Sequence, residues 1–410
     1  MMVSGINYLR FWPMSKVELK NYEGREQAFI KHSLLGSYLP ELGFKVGRKW
    51  ESLLYIDTHA GPWKGNDESL RDTSFSIGVD TLRRVLLGLR EVHGHSIEVK
   101  AFLNELNNSE KDEFPFDRLN RFSEESSRGG VEVTASNQTF EDATPSIQAF
   151  IKSSPKSFRF ILIDPKGWDS IPMSSIAAIT NDRSSEVLVN LMTQDLRRFL
   201  EQIDREASYL RLFGREEALA NVRKLPREQR VDGLVREYCK SLKQCCGFDH
   251  VSSCAILSPD RNDIKYFLVF GTNHHRGIEV FKDAESRANN LQESIKNEKL
   301  EQASNEKAGC DSLFAVAEFG SSPYLSELRE KYREKAKAKL YEKFAEKAKI
   351  PYREVFCCTM AFPLFGKEDL HSLLEQEPRF EIELDRSERP NRIKPNCSES
   401  DFVILKDVEG

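Results

Sequence analysis

Four short stretches hold the residues able to do chemistry, and each stands where an apolar run breaks off. The first is Leu53-Leu54-Tyr55-Ile56-Asp57-Thr58-His59-Ala60-Gly61-Pro62-Trp63-Lys64-Gly65, in which the run ends on Asp57 and small loop residues follow. Small residues let the backbone come close to a ligand, and a carboxylate accepts hydrogen bonds from an amine or a hydroxyl. The second is Val99-Lys100-Ala101-Phe102-Leu103-Asn104-Glu105. An acidic residue after the second strand of an α/β sheet commonly binds both hydroxyls of a ribose. Glu105 stands well beyond the usual interval after the glycines, so a long intervening helix is expected. The third is Ser136-Asn137, placed to meet an adenine base. The fourth is Ile161-Leu162-Ile163-Asp164-Pro165-Lys166-Gly167-Trp168, whose Asp-Pro turn would face a reacting centre.

Each has a plainer explanation when taken singly. Carboxylates at strand ends often cap helices, Asn137 suits a turn, and Trp168 can be a core aromatic. Together, in order and at one sheet edge, they favour a site for a nucleoside cofactor.

The elements that must position them alternate. Residues 53–57, 98–104, 131–135, 158–163 and 186–191 read as strands, and 24–42, 75–89, 140–152 and 173–179 as helices. That rhythm predicts a parallel sheet wrapped by helices. A charged helical insertion follows over 193–247. Strands at 251–257 and 265–271 are then separated by so short a connection that they must form an antiparallel hairpin. A parallel sheet closed by an antiparallel hairpin is the plan of a class I methyltransferase-like Rossmann fold. An NAD-dependent oxidoreductase is disfavoured by that hairpin and by loop glycines that do not fit GxGxxG.

Residues 284–309 are polar and read as a solvated helix or linker. Beyond them, helices at 325–347, 352–360 and 367–376 precede strands at 379–384 and 401–405, an order resembling a winged helix. The expected organisation is an N-terminal helical segment (1–50), a Rossmann domain (51–285), a polar linker or helix (286–335) and a winged-helix-like module (336–410). The mixed Lys/Glu/Arg run over 331–349 reads as a solvated helix face rather than a phosphate track.

Composition narrows the class further. The 410 residues are 39% hydrophobic and 30% charged, with a net charge of −5, and the pI is near 6.0. This excludes a whole-molecule field for nucleic acid and leaves local patches open. No apolar run is long enough to span a bilayer, and residues 1–20 lack a signal-peptide pattern, so a cytoplasmic location is expected. The eight cysteines form no paired CxxC motifs, which predicts reduced structural thiols and no metal site.

Tyr55-Ile56-Asp57-Thr58-His59-Ala60-Gly61-Pro62 resembles the "YxDxFAGPG" element of the three-Cys-motif partner family, TcmP. Ile163-Asp164-Pro165-Lys166-Gly167-Trp168 resembles its "IDPxGW", and Glu186-Val187-Leu188-Val189-Asn190-Leu191-Met192 its "EvLiNfm". Tyr266-Phe267-Leu268-Val269-Phe270-Gly271-Thr272-Asn273-His274 is similar to its "YxLvFaTNH", and an early Lys31-His32 also fits. The resemblance implies a methyltransferase-like fold that binds S-adenosylmethionine and a Cys-rich, radical-SAM-like partner carrying the three-Cys motif. Taken with the sheet-edge reading above, cofactor contacts are expected at Asp57, Thr58, Ala60, Gly61, Pro62, Glu105 and Asn137, and the acceptor side at Asp164, Pro165 and Trp168. The family's second loop glycine is Trp63 here. The loop 55–61 also looks like that of ribosomal-RNA adenine-N6 methyltransferases, whose Asp-Pro-Pro-Tyr becomes Asp164-Pro165-Lys166-Gly167, with Trp168 one place late.

Two functions stay open. One is a methyltransferase acting on nucleic acid or a nucleic-acid-associated substrate. The other is a non-catalytic or regulatory subunit that keeps the fold and serves the partner.

Overall fold

In the computed structural model, which describes residues 19–61, 70–106, 115–127, 130–308, 322–387 and 389–406, strands and helices alternate from the start. The order is α1 (Glu26–Val46), β1 (Ser52–Asp57), α2 (Ser74–His93), β2 (Glu98–Asn104), α3 (Pro115–Ser127), β3 (Glu132–Ser136), α4 (Phe140–Lys152), β4 (Ser157–Ile163), α5 (Met173–Ile179) and β5 (Ser185–Leu191). Helices α6 (Thr193–Phe199), α7 (Glu206–Phe213), α8 (Glu216–Arg223) and α9 (Arg230–Cys246) form the insertion. The hairpin β6 (His250–Leu257) and β7 (Ile264–Thr272) and the long α10 (His275–Ala308) come next. The chain continues through α11 (Pro323–Phe344), β8 (Lys349–Pro351), α12 (Tyr352–Thr359), α13 (Lys367–Gln376), β9 (Phe380–Glu383) and β10 (Phe402–Leu405).

All six residues of β1 and all seven of β5 are buried, as strands covered on both faces must be. The sheet order is β3-β2-β1-β4-β5-β7-β6. Strands β1 to β5 pair in parallel, while β7 runs antiparallel to both β5 and β6. That order, with one reversed strand slotted between two others, is a class I methyltransferase-like Rossmann sheet. One face packs Tyr38, Tyr55, Phe160, Phe270 and Phe281 under α1, α2 and α10. The other packs Trp168, Tyr209, Phe213, Tyr238 and Phe248 under α4, α5 and the insertion. Each such side chain withdrawn from water stabilises the fold by roughly 1.5–3 kcal/mol. Gly78 lets α2 lie directly on the Tyr55 ring, since a Cβ there would fall 2.5 Å from the ring edge.

The polar stretch expected as a solvated helix or linker is helical and belongs to α10, and several of its polar residues are fasteners. Gln292 accepts from the backbone N–H of Leu257 at 2.7 Å and donates to the carbonyl of Ala255 at 3.2 Å, both on edge strand β6. Lys296 donates to the Arg261 carbonyl, and Glu285 accepts from the Leu364 N–H at 2.9 Å. The boundary expected near residue 285 therefore falls inside a buried helix. The C-terminal elements join the same core: Tyr352, Phe356, Met360 and Leu370 cluster with the α1, α2 and α10 side. Ser252 and Ser253 of β6 donate to the carbonyls of Met360 and Ala361. Strands β8, β10 and β9 form a small antiparallel sheet in that order. The basic run on α11 is neutralised locally, with Lys331 and Lys335 on Asp232, Lys337 on Glu377, Lys339 on Glu342 and Lys343 on Glu354. No helix among the described residues is long and apolar enough to cross a membrane.

Candidate active site

Parallel pairing brings the chemistry to one level. Asp57 lies opposite Leu103 of β2 and Leu162 of β4, so Glu105 and Asp164 each stand two residues beyond it at the carboxyl edge. Asp57 is fully buried. It accepts from Ser74 Oγ at 2.8 Å and from the His59 N–H at 3.2 Å. Ser74 opens α2, whose cap is Thr73, accepting from the Ser76 N–H. Leu70 just before it adopts a left-handed backbone, φ 60°, held by bonds from the Thr73 N–H and hydroxyl to its carbonyl. Strain of this kind in a non-glycine residue gathers at functional loops. Burial pushes the Asp57 carboxyl up to about 7, the charge of Asp164 adding to it and Ser74, His59 and Lys31 opposing.

The loop after β1 is tied to its neighbours. The Thr58 N–H and hydroxyl both go to the Leu162 carbonyl, and the Ala60 N–H bonds the Asn104 carbonyl at 2.7 Å. Asn104 donates to the carbonyls of Thr58 and Gln138, which fixes its amide and leaves Oδ1 buried without a donor among the described residues. Thr58 and Ala60 thus shape the loop, and Gly61 presents its N–H to Glu105. Glu105 is 4% exposed. Burial, then the charge of Asp57, push its carboxyl up to about 8, against Lys166 and the Gly61 N–H. Asn137 is exposed beyond edge strand β3. Pro62 and Trp63 lie outside the described residues.

Asp164 follows β4, with Pro165 buried behind it. Asn190 of β5 donates to one carboxylate oxygen at 2.8 Å, and Lys31 of α1 forms an ion pair with the other. Burial alone would raise this carboxyl, but Lys31 and Asn190 outweigh it and hold it below the usual carboxylate range. His32 is buried beside this pair, its Nδ1 2.9 Å from the Tyr22 hydroxyl, and Arg25 bonds Asp72 at 2.6 Å. These contacts anchor the first turns of α1 over the sheet edge. Lys31 is the site residue whose role sequence reasoning missed. Helical spacing placed it on α1, but no local pattern joins it to an aspartate 133 residues away.

Trp168, expected either on the acceptor side or as a core aromatic, packs in the core. It is 4% exposed, and its ring packs on Tyr209 of the insertion with centroids 4.6 Å apart. The ring belongs to the core cluster between the insertion and the sheet, with Tyr209, Phe213 and Tyr238. No group of His, Cys, Asp or Glu able to hold a metal occurs among the described residues.

No family model and no curated protein matches this chain. Among solved structures, a loganic acid methyltransferase with SAH is similar over 70% of this chain and 91% of that one, at 8% identity and a TM-score of 0.27. Strand order, not this likeness, defines the fold.

The raised carboxyls make stability depend on pH. Asp57 at about 7, Glu105 at about 8 and Glu186 at about 7 start from ordinary values of 3.8, 4.5 and 4.5. Glu186 is raised chiefly by burial, with Tyr38 and Thr272 donating to it. Burial also lowers His32 to about 3, His59 and His275 to about 4, and His250, His274 and His371 below their ordinary 6.5; these bind more protons when unfolded, an opposing effect that fades above about pH 7. Between about pH 7.5 and 8.5, where the unfolded histidines are already neutral, the folded chain therefore binds more protons than the unfolded one, and stability falls as pH rises. The denaturant midpoint is expected to be lower at about pH 8.5 than at about pH 7.5, and Glu186→Gln to flatten part of the slope. A midpoint that climbs across this window contradicts the assignment.

Proposed function

We propose that the chain is an S-adenosylmethionine-dependent methyltransferase. The observation that carries this reading is three carboxylates, Asp57, Glu105 and Asp164, brought by β1, β2 and β4 to one edge of a methyltransferase-type sheet. Two of them are held in surroundings that disfavour their charge, so they suit a ligand rich in donors and positive charge. Glu105 would bind ribose hydroxyls, Asp57 and Gly61 would border the amino-acid end, and Asp164 would receive the acceptor. The cofactor supplies an electrophilic methyl group on a sulfonium.

Asp164 is an acceptor-only group, so it favours a neutral amine as the methyl acceptor. The order α11-β8-α12-α13-β9-β10 and the strand order β8-β10-β9 support reading this part as winged-helix-like. Exposed Arg386, Ile393 and Lys394 stand in the loop between β9 and β10. Both features support an acceptor in nucleic acid or something bound to it, and the sequence resemblance supports a three-Cys-motif, radical-SAM-like partner. The test is transfer of labelled methyl groups from S-adenosylmethionine to separate pools of DNA, RNA and protein, with and without that partner. Transfer to none of them, with cofactor bound, rejects the enzyme reading.

The commitment of Trp168 to the core favours a second reading, a non-catalytic subunit that retains the fold. It predicts cofactor binding or partner binding without turnover.

A further inference from the structure

We propose that Lys31 is the positioning residue of the acceptor site, its ammonium holding the Asp164 carboxylate ionised and in one orientation at the sheet edge, a role that rests on the methyltransferase reading for its kinetic consequence. The two side chains are only 12% and 15% exposed. An ion pair withdrawn this far from water loses hydration on both sides and persists only where further hydrogen bonds complete it. Asn190 provides that bond on the second carboxylate oxygen.

Asp164 is faced by Lys31 and His32 from α1, by Tyr55, Asp57 and His59 from β1 and its loop, by Asn190 from β5 and by Tyr266 from β7. In this set Lys31 brings the positive charge. His32 and His59 are held neutral by burial, and Asp57 repels a second negative charge. Without Lys31, burial and Asp57 act together to protonate Asp164. A protonated acid presents its own donor to an incoming amine, whereas the carboxylate accepts from it.

The experiment is a carbon-13 titration of aspartate carboxyls in the full chain. It compares wild type, Lys31→Met, Lys31→Arg and the double variant Lys31→Met/Asp164→Asn, each checked by thermal melting. Wild type and Lys31→Arg are expected to show Asp164 titrating below the usual carboxylate range. Lys31→Met should show a carboxyl whose midpoint is at least about two pH units higher, absent from the double variant. Methyl transfer by Lys31→Met should be about tenfold or more slower at neutral pH and recover in alkali, with Lys31→Arg close to wild type. Asp164 still titrating below the usual carboxylate range in a folded Lys31→Met protein overturns the proposal. So does an active wild type whose pH profile Lys31→Met leaves unchanged. If wild type transfers no methyl, the enzyme reading fails, and the titration alone decides the role of Lys31.

Discussion

Glu105→Ala is expected to weaken binding of S-adenosylhomocysteine by about 1–3 kcal/mol, roughly five- to 150-fold, because two ribose hydroxyls lose their shared acceptor inside a closed edge. The pH dependence is as informative as the loss. Glu105 keeps its proton up to about 8 in the free protein, whereas accepting from both hydroxyls requires the carboxylate. Binding therefore expels a proton, and affinity should rise with pH from about 6.5 toward 8 and level off above it. Glu105→Gln, which has no proton to lose, should bind weakly with a flatter profile. Calorimetry in buffers of different ionisation enthalpy reads the affinity and the proton together. Wild-type affinity that ignores pH, or Glu105→Ala binding as tightly as wild type, rules out the ribose role.

The second large effect is at Asp164. Asp164→Asn keeps an acceptor oxygen and loses the charge, while Asp164→Ala loses both. Turnover should fall in the order wild type, Asn, Ala, the last by about 100-fold or more, since orienting a nucleophile accounts for a large part of a transfer rate. Cofactor affinity should change little, because Glu105 and the loop after β1 carry it. If Asp164 merely closes the turn before Pro165, Ala lowers the melting temperature and leaves the rate per folded molecule intact. Equal turnover of folded wild type and Asp164→Ala settles it that way.

Much of the sheet was legible because its signals are local. Strands expected at 53–57, 98–104, 158–163 and 186–191 occur as β1, β2, β4 and β5, and the short connection at 258–263 correctly required a hairpin. The long gap between the glycines and Glu105 is filled in part by the twenty residues of α2. Three features were hidden. Trp168 reads identically whether it stacks on a ligand or on Tyr209. Lys31 meets Asp164 only through the docking of α1. The polarity of 284–296 suggested solvent, because composition cannot tell a wet glutamine from one that bonds a strand edge.

That last feature carries a consequence for how the chain behaves while it is being made. A strand on the rim of a sheet offers bare N–H and C=O groups to any other extended chain and is a common seed of misassembly. Here Gln292 occupies such groups on β6, and Ser252 and Ser253 meet the carbonyls of Met360 and Ala361. The rim is shielded by segments synthesised well after the strand itself. A nascent chain that has completed β7 but not yet α10 and α12 carries an open rim, so its yield is expected to depend on translation rate and chaperone supply.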